Sequence, residues 1–323
     1  MEEQLATELL QIVRAVKLPS PTSLSFAGTI SDVSENDLVQ PLGRLLYLHC
    51  YSRRFNGSIN EQVTTTPEAD QQFLEQLSSA NSSREYLDRG WHILRTLPTG
   101  HFVAEKNGLT RVLFVGEFIS HSDIRGPLKD GTPISIYCPR ESKTMHPGFY
   151  YIFGEALGDQ LDDTGLLRFY WNLTPEGAIH LVRLVTKQLN HFQLPFRLKV
   201  LNSPADYDRS DSAILYLNYR YFRVASHIIS KVHREVNRWL KVDTPLFTKR
   251  LEQGLGLAEE PITGESFGQQ RCRILATAIS NVCASGSEGG ELEEIGRQFE
   301  LNGLSLDHPY RNPGSLETYE FAS

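Results

Sequence analysis

A chain of 323 residues with 40% hydrophobic, 10% aromatic and 22% charged side chains can bury a substantial core in one large domain or two smaller ones, which excludes the disordered and fibrous classes. The formal net charge of -7 argues against a general nucleic-acid binder, so any anion site has to be local. The opening MEEQLATELLQIVRAVKL is too polar for a signal peptide and no run approaches a membrane span, so a cytoplasmic protein with no membrane association is expected.

Leu5, Leu9, Ile12, Val13 and Val16 recur at helical spacing between Glu2 and Lys17, and Pro19 and Pro21 end that helix. A Ser/Thr-rich link leads to a second helix over Leu38 to Tyr51; Arg53 to Thr66 reads as a loop, and a third helix follows Pro67 and ends before Leu87. From Gly90 the period changes to that of strands, with Trp91 to Arg95, Gly100 to Lys106 and Thr110 to Phe118 separated by turns at Pro98-Thr99-Gly100 and Asn107-Gly108. The chain thus divides into an N-terminal helical region, residues 1–89, and an α+β domain, residues 90–323, in which a mainly antiparallel sheet is flanked by helices. Pro133 to Cys138 adds a short strand, and Pro139 to Gly154 reads as a loop carrying Arg140, Lys143, His146 and the cluster Phe149-Tyr150-Tyr151, suited either to covering a substrate or to filling the core.

Leu167 to Leu173 and Phe196 to Asn202 read as strands around a helix that opens on Thr174-Pro175-Glu176: a capping residue, a proline at the first helical position and an acid in the first turn. Residues two apart share a strand face, so Arg168, Tyr170 and Asn172 line one face of the first strand, and Arg197 and Lys199 line one face of the second. If the two strands are neighbours, these side chains make a cationic floor with Arg209 close behind, a seat for a phosphate dianion with one amine left for chemistry. The same stripes also suit an open sheet face washed by solvent.

Ala213 to Leu217 is expected as a third strand, followed by a helix over Tyr221 to Trp239 whose cationic face is either solvated or attracts an acidic peptide. Gly254 to Gly268 reads as a loop, and a helix beginning at Ser266 or Gly268 brings Arg271 and Arg273 into its first turns, where free N–H groups and guanidinium donors favour anions. Ser285 to Gly290 is expected as a flexible turn, Leu292 to Phe299 as a short helix and Pro309 to Phe321 as an irregular tail. Cys50, Cys138, Cys272 and Cys283 have neither metal-ligand spacing nor the Cys-x5-Arg pattern of a phosphatase, and the histidines form no HExxH pair, so no metal and no cofactor are expected.

The stretches PGFYYIFGEA, RFYWNLTPEGA, LPFRLKVLN, YDRSDSAILYL, PLFTKRL, GLGLAEEP, ESFGQQRCR and PYRNPGS resemble, in order, the HopA-type effector family, known from type III secreted proteins of plant pathogens and from homologues in natural-product gene clusters. The resemblance covers roughly residues 100–321. That family is more remotely similar to the phosphothreonine lyases, which eliminate phosphate from a phosphorylated Thr or Ser without a metal or cofactor. The resemblance implies a phosphothreonine-lyase-like fold and a lyase giving dehydroalanine or dehydrobutyrine in lanthipeptide-type maturation, with a phosphorylated peptide as substrate and a separate peptide kinase as partner.

The lyases' Lys-x-Lys-Val strand, whose second lysine is the base, is matched by Arg197-Leu198-Lys199-Val200, and their earlier Lys-x-His by Arg168-Phe169-Tyr170. Lys199 is therefore the implied base, and Tyr170 stands where the lyases carry their histidine acid. Arg168, Arg197, Arg209, Arg271, Arg273 and Asn172 are the implied phosphate and substrate ligands. A lysine acts as a base only when neutral, a state that neighbouring guanidiniums and partial burial favour and that a bound dianion opposes. Because the histidine is missing, a non-catalytic phosphopeptide-binding or effector module remains the alternative.

Overall fold

The computed structural model describes residues 3–20, 22–34, 37–59, 66–121, 128–159, 164–285 and 289–322; Pro21, part of the loop expected over Arg53 to Thr66 and part of the turn expected over Ser285 to Gly290 lie outside them. Helix α1 (Glu3–Ala15) buries Leu9, Ile12 and Val13 and runs into a three-stranded antiparallel meander, β1 (Val16–Ser20), β2 (Ser23–Phe26) and β3 (Thr29–Asp32). That meander corrects the reading of this stretch of the N-terminal helical region as a mere link: in Ser-Leu-Ser-Phe the buried Leu24 and Phe26 alternate with serines, a strand period too short to stand out from a Ser/Thr-rich link. Helix α2 (Val39–Leu46) continues as one π-helical stretch, Tyr47–Tyr51, and α3 (Pro67–Ala80) starts on Thr66, whose side chain accepts from the Ala69 N–H.

A five-stranded antiparallel sheet follows, built from β4 (Tyr86–Thr96), β5 (Phe102–Lys106), β6 (Leu109–Leu113), β7 (Phe118–Ser120) and β8 (Pro133–Cys138) in the order β6-β5-β4-β8-β7. Its β5–β6 hairpin turns on Asn107 and Gly108, both at positive φ (53° and 82°), as the sequence predicts. Trp91, Ile93, Ala104, Ile134 and Ile136 give this sheet a small core of its own.

The main sheet has seven strands, all antiparallel. They are β9 (Glu141–His146), β10 (Phe149–Phe153), β11 (Leu166–Trp171), β12 (Arg197–Leu201), β13 (Ala213–Asn218), β14 (Lys249–Glu252) and β15 (Leu255–Glu259), in the order β14-β15-β11-β13-β12-β10-β9. Two expectations are corrected by it. The segment Pro139 to Gly154 is the β9–β10 hairpin rather than a loop, because Phe149, Tyr150 and Ile152 are buried on both faces of the sheet and leave no alternation to read. The stretch Gly254 to Gly268 likewise begins with β15, five residues buried without a break.

One face of the main sheet, Leu167, Phe169, Trp171, Leu198, Val200, Leu215 and Leu217, is buried as part of the core that includes α4 (Pro175–His191) and α5 (Phe222–Val236); Phe169 stacks on Phe222 of α5 with ring centroids 6.1 Å apart. Helix α4 opens with Thr174 accepting from the Gly177 N–H and Pro175 at its first position. The other face meets the π-helical stretch and α6 (Phe267–Ser285), which packs with α2 and α7 (Glu291–Leu301). Gly268 is what allows that layer: a Cβ there would lie 2.3 Å from the Tyr51 ring.

A single core runs from Leu9 to Tyr319 and takes in the N-terminal helices together with the main sheet. The boundary expected after residue 89 therefore does not follow the packing. It falls inside β4, and the residues before it help bury the face that carries Tyr170.

Candidate functional site

Strands β11 and β12 are not neighbours, the condition set for the cationic floor: β13 lies between them, and its Tyr216 and Ile214 are each register partners of both. Rows of side chains therefore cross the sheet. One reads Arg168, Tyr216, Arg197 and Phe153; the next reads Tyr170, Ile214, Lys199, Tyr151 and Ser142. The polar stripes predicted on the two strands do share a face, with a tyrosine between the arginines that the sequence reading had not placed.

Tyr216 organises this face. Its ring lies 5.2 Å from the Arg168 guanidinium carbon, 5.8 Å from that of Arg197 and 5.8 Å from the Lys199 ammonium. The Phe149 ring on β10 carries Lys199 at 4.4 Å and Arg209 at 5.6 Å. Four of the predicted cations thus gather around two aromatic rings on one face of the sheet.

They are not equally available. Arg168 is 5% exposed and held as a fork by Glu260, with one N–H donating to a carboxylate oxygen at 2.6 Å and its Nε paired to the other oxygen, while a third N–H donates to the Tyr170 hydroxyl at 3.4 Å. Arg209 donates two hydrogen bonds, 2.8 and 2.9 Å, to the buried Asp211; burial opposes its charge, but that carboxylate outweighs it and holds the guanidinium pKa above its ordinary value. Arg197 is exposed and Lys199 half-buried, and among the described residues neither has a carboxylate partner. The uncompensated positive charge of the face belongs to those two.

The remaining predicted residues lie elsewhere. Tyr170 is fully buried, edge-on to Tyr51 at 6.5 Å and against Phe267 at 6.4 Å, and burial pushes its phenol pKa up. Its hydroxyl faces Arg168 rather than an open site. Asn172 donates to the Asp243 carbonyl at 3.0 Å and ties the end of β11 to the chain before β14. Arg271 is also fully buried and donates to the carbonyls of Pro309 and Arg311 and to the Gln270 side chain. It strings the C-terminal tail to α6. Arg273 is forked by Glu265 at 2.9 Å from both nitrogens, on a pocket of α2 and α6 that no residue of β12 lines.

Next to the cation cluster, Arg197 and Tyr216 line a groove of about 450 Å³ to which both large sheets contribute, Phe114 and Tyr137 from the region of the smaller sheet and Met145 from β9. Of the four clustered cations, Arg197 alone lines that groove among the described residues. Tyr151, opposite Lys199, and Phe149 were visible in the sequence only as an aromatic cluster; the signal that places them is the period of β10 once it is read as a strand. Among the described residues no group of three or more His, Cys, Asp or Glu side chains is placed to hold a metal ion, and no helix is long and apolar enough to cross a membrane.

The sequence profile of the HopA1 effector protein family matches residues 140–311, more than half of the chain and all of the cation cluster. The solved structure of the effector protein from Pseudomonas syringae pv. tomato strain DC3000 is similar with a TM-score of 0.51 at 16% identity, covering 96% of each chain, which shows a shared fold. That of the effector protein from Pseudomonas syringae pv. syringae strain 61 is similar with a TM-score of 0.46 at 14% identity, covering 83% of this chain and 87% of that one. No curated protein matches the sequence. On the profile match, the chain belongs to the HopA1 effector protein family.

Proposed function

We propose that the protein is a cofactor-independent lyase that eliminates phosphate from a phosphoserine or phosphothreonine in a peptide, leaving dehydroalanine or dehydrobutyrine, in the maturation of a ribosomal peptide natural product that a separate kinase phosphorylates. The observation that carries the reading is the pair Arg197 and Lys199, two cations without a carboxylate partner among the described residues, side by side on β12 around Tyr216. Elimination needs a base at the α-carbon and cations on the phosphate. Arg197 takes the phosphate from the groove side, Arg168 and Arg209 supply field from behind their carboxylates, and the Lys199 amine takes the α-proton.

A second reading has its own observation. Tyr170, where the lyases place an acid, is sealed from solvent, which favours a module that binds a phosphopeptide and does not turn it over. Mass spectrometry of a phosphoserine and phosphothreonine peptide library, incubated with the protein and a chelator, separates the two. Loss of the mass of phosphoric acid, leaving a residue that adds thiol, supports the lyase. An unchanged library that the protein nevertheless binds supports the module.

A further inference from the structure

If the protein is the lyase proposed above, something other than Tyr170 has to protonate the departing phosphate. We propose that Tyr151 is that donor, working as a pair with Lys199 across the β10–β12 ladder. The register places Tyr151 directly opposite Lys199, so their Cβ atoms are about 5 Å apart. Tyr170 lies on β11 with Ile214 of β13 between it and Lys199, and two strand spacings amount to about 10 Å.

The Lys199 side chain also leans toward β10, its ammonium 4.4 Å from the ring of Phe149, two residues before Tyr151. Tyr151 is half-buried, and among the described residues no hydrogen bond ties up its hydroxyl, in contrast to the Tyr170 hydroxyl, which accepts from Arg168. Burial raises the Tyr151 phenol pKa, and Arg168 and Arg197 pull against that rise, which puts its hydroxyl within the field of the guanidiniums around Tyr216.

The step balances within this pair. The Lys199 amine removes the α-proton, the Cα–Cβ double bond forms as the Cβ–O bond breaks, and the Tyr151 proton passes to the leaving phosphate oxygen. The resulting ammonium returns its proton to the phenolate across the ladder. The products are a dehydro residue and hydrogen phosphate, and the protein ends as it began.

The test is Tyr151→Phe, assayed for elimination by mass spectrometry and for phosphopeptide affinity by calorimetry in a Lys199→Ala background, where turnover cannot obscure binding. The expected result is a kcat at least ~100-fold below that of the parent, the low end of a general acid's contribution, with the dissociation constant unchanged. A variant that turns over within threefold of the parent overturns the assignment, as does a loss of affinity that accounts for the whole loss of rate. A parent protein that binds the peptides and eliminates nothing overturns the lyase reading itself, and the Tyr151 role with it.

Discussion

Arg271 tests whether a cation near the site serves the ligand or the fold. Its side chain is 0% exposed and ends on three acceptors: the carbonyls of Pro309 (2.9 Å) and Arg311 (2.7 Å) and the Gln270 amide oxygen. Arg271→Met keeps the length of the side chain and strands all three acceptors. A hydrogen bond from a charged donor contributes roughly 1.5–3 kcal/mol, so the three together are worth about 4–9 kcal/mol. Against this stands the charge itself. Burial pushes the guanidinium pKa down to about 10, a penalty of about 3 kcal/mol at roughly 1.4 kcal/mol per tenfold, and methionine relieves it. The net expectation is a loss of roughly 1–6 kcal/mol, read as a lower urea midpoint together with faster hydrogen exchange over residues 309–312. An Arg271→Met protein that unfolds at the wild-type midpoint and instead loses phosphopeptide affinity would refute the assignment of Arg271 to the tail.

Three further outcomes follow from the packing. Glu260→Ala leaves the buried Arg168 without its carboxylate and is expected to destabilise by about 3–5 kcal/mol in urea unfolding; an unchanged midpoint would mean that Arg168 does not depend on the pair. Deleting residues 1–89 removes Leu9, Phe26, Leu46, Tyr51 and Leu77 from the core shared with the main sheet, so the remainder is expected to show no cooperative unfolding transition, and a sharp calorimetric peak would contradict the shared core. Stability is also expected to fall in acid. Burial pushes the Glu141 carboxyl up, but hydrogen bonds from Tyr150 and Ser78 outweigh it and leave it below its ordinary value of 4.5. The Arg84 and Arg273 hydrogen bonds do the same for Glu155 and Glu265. Such groups stabilise the fold above their unfolded value, and the contribution drains away as pH falls through the lower folded one. Glu8 and Asp206, raised by burial, run the other way. Urea midpoints compared at about pH 6 and about pH 3 check the sign, and a higher midpoint in acid would contradict it.

The helices and the β5–β6 hairpin were legible in the sequence because their signals are local: the apolar spacing of α1, the Thr174-Pro175 opening of α4 and the Asn107-Gly108 turn each need only a few neighbouring residues. The β9–β10 hairpin and β15 were not, because strands buried on both faces lose the alternation that marks them. The cation stripes of β11 and β12 were read correctly as stripes and Ala213 to Leu217 as a strand, but not its place between the two, since strand order is a long-range property that periodicity does not carry. Tyr216 and Tyr151 escaped for that reason. Arg271 and Arg273 were assigned from their place in a first helical turn, which fixes the backbone position but not what lies around the guanidinium; in the fold those surroundings are tail carbonyls and Glu265.

Lys199→Ala tests the central claim most directly, with phosphopeptide affinity and elimination measured on the same preparation. The account predicts that elimination falls by about 100-fold or more, the contribution of a general base, while Arg197, the other cation without a carboxylate partner among the described residues, keeps the peptide bound. A Lys199→Ala protein that eliminates phosphate at the wild-type rate would contradict it.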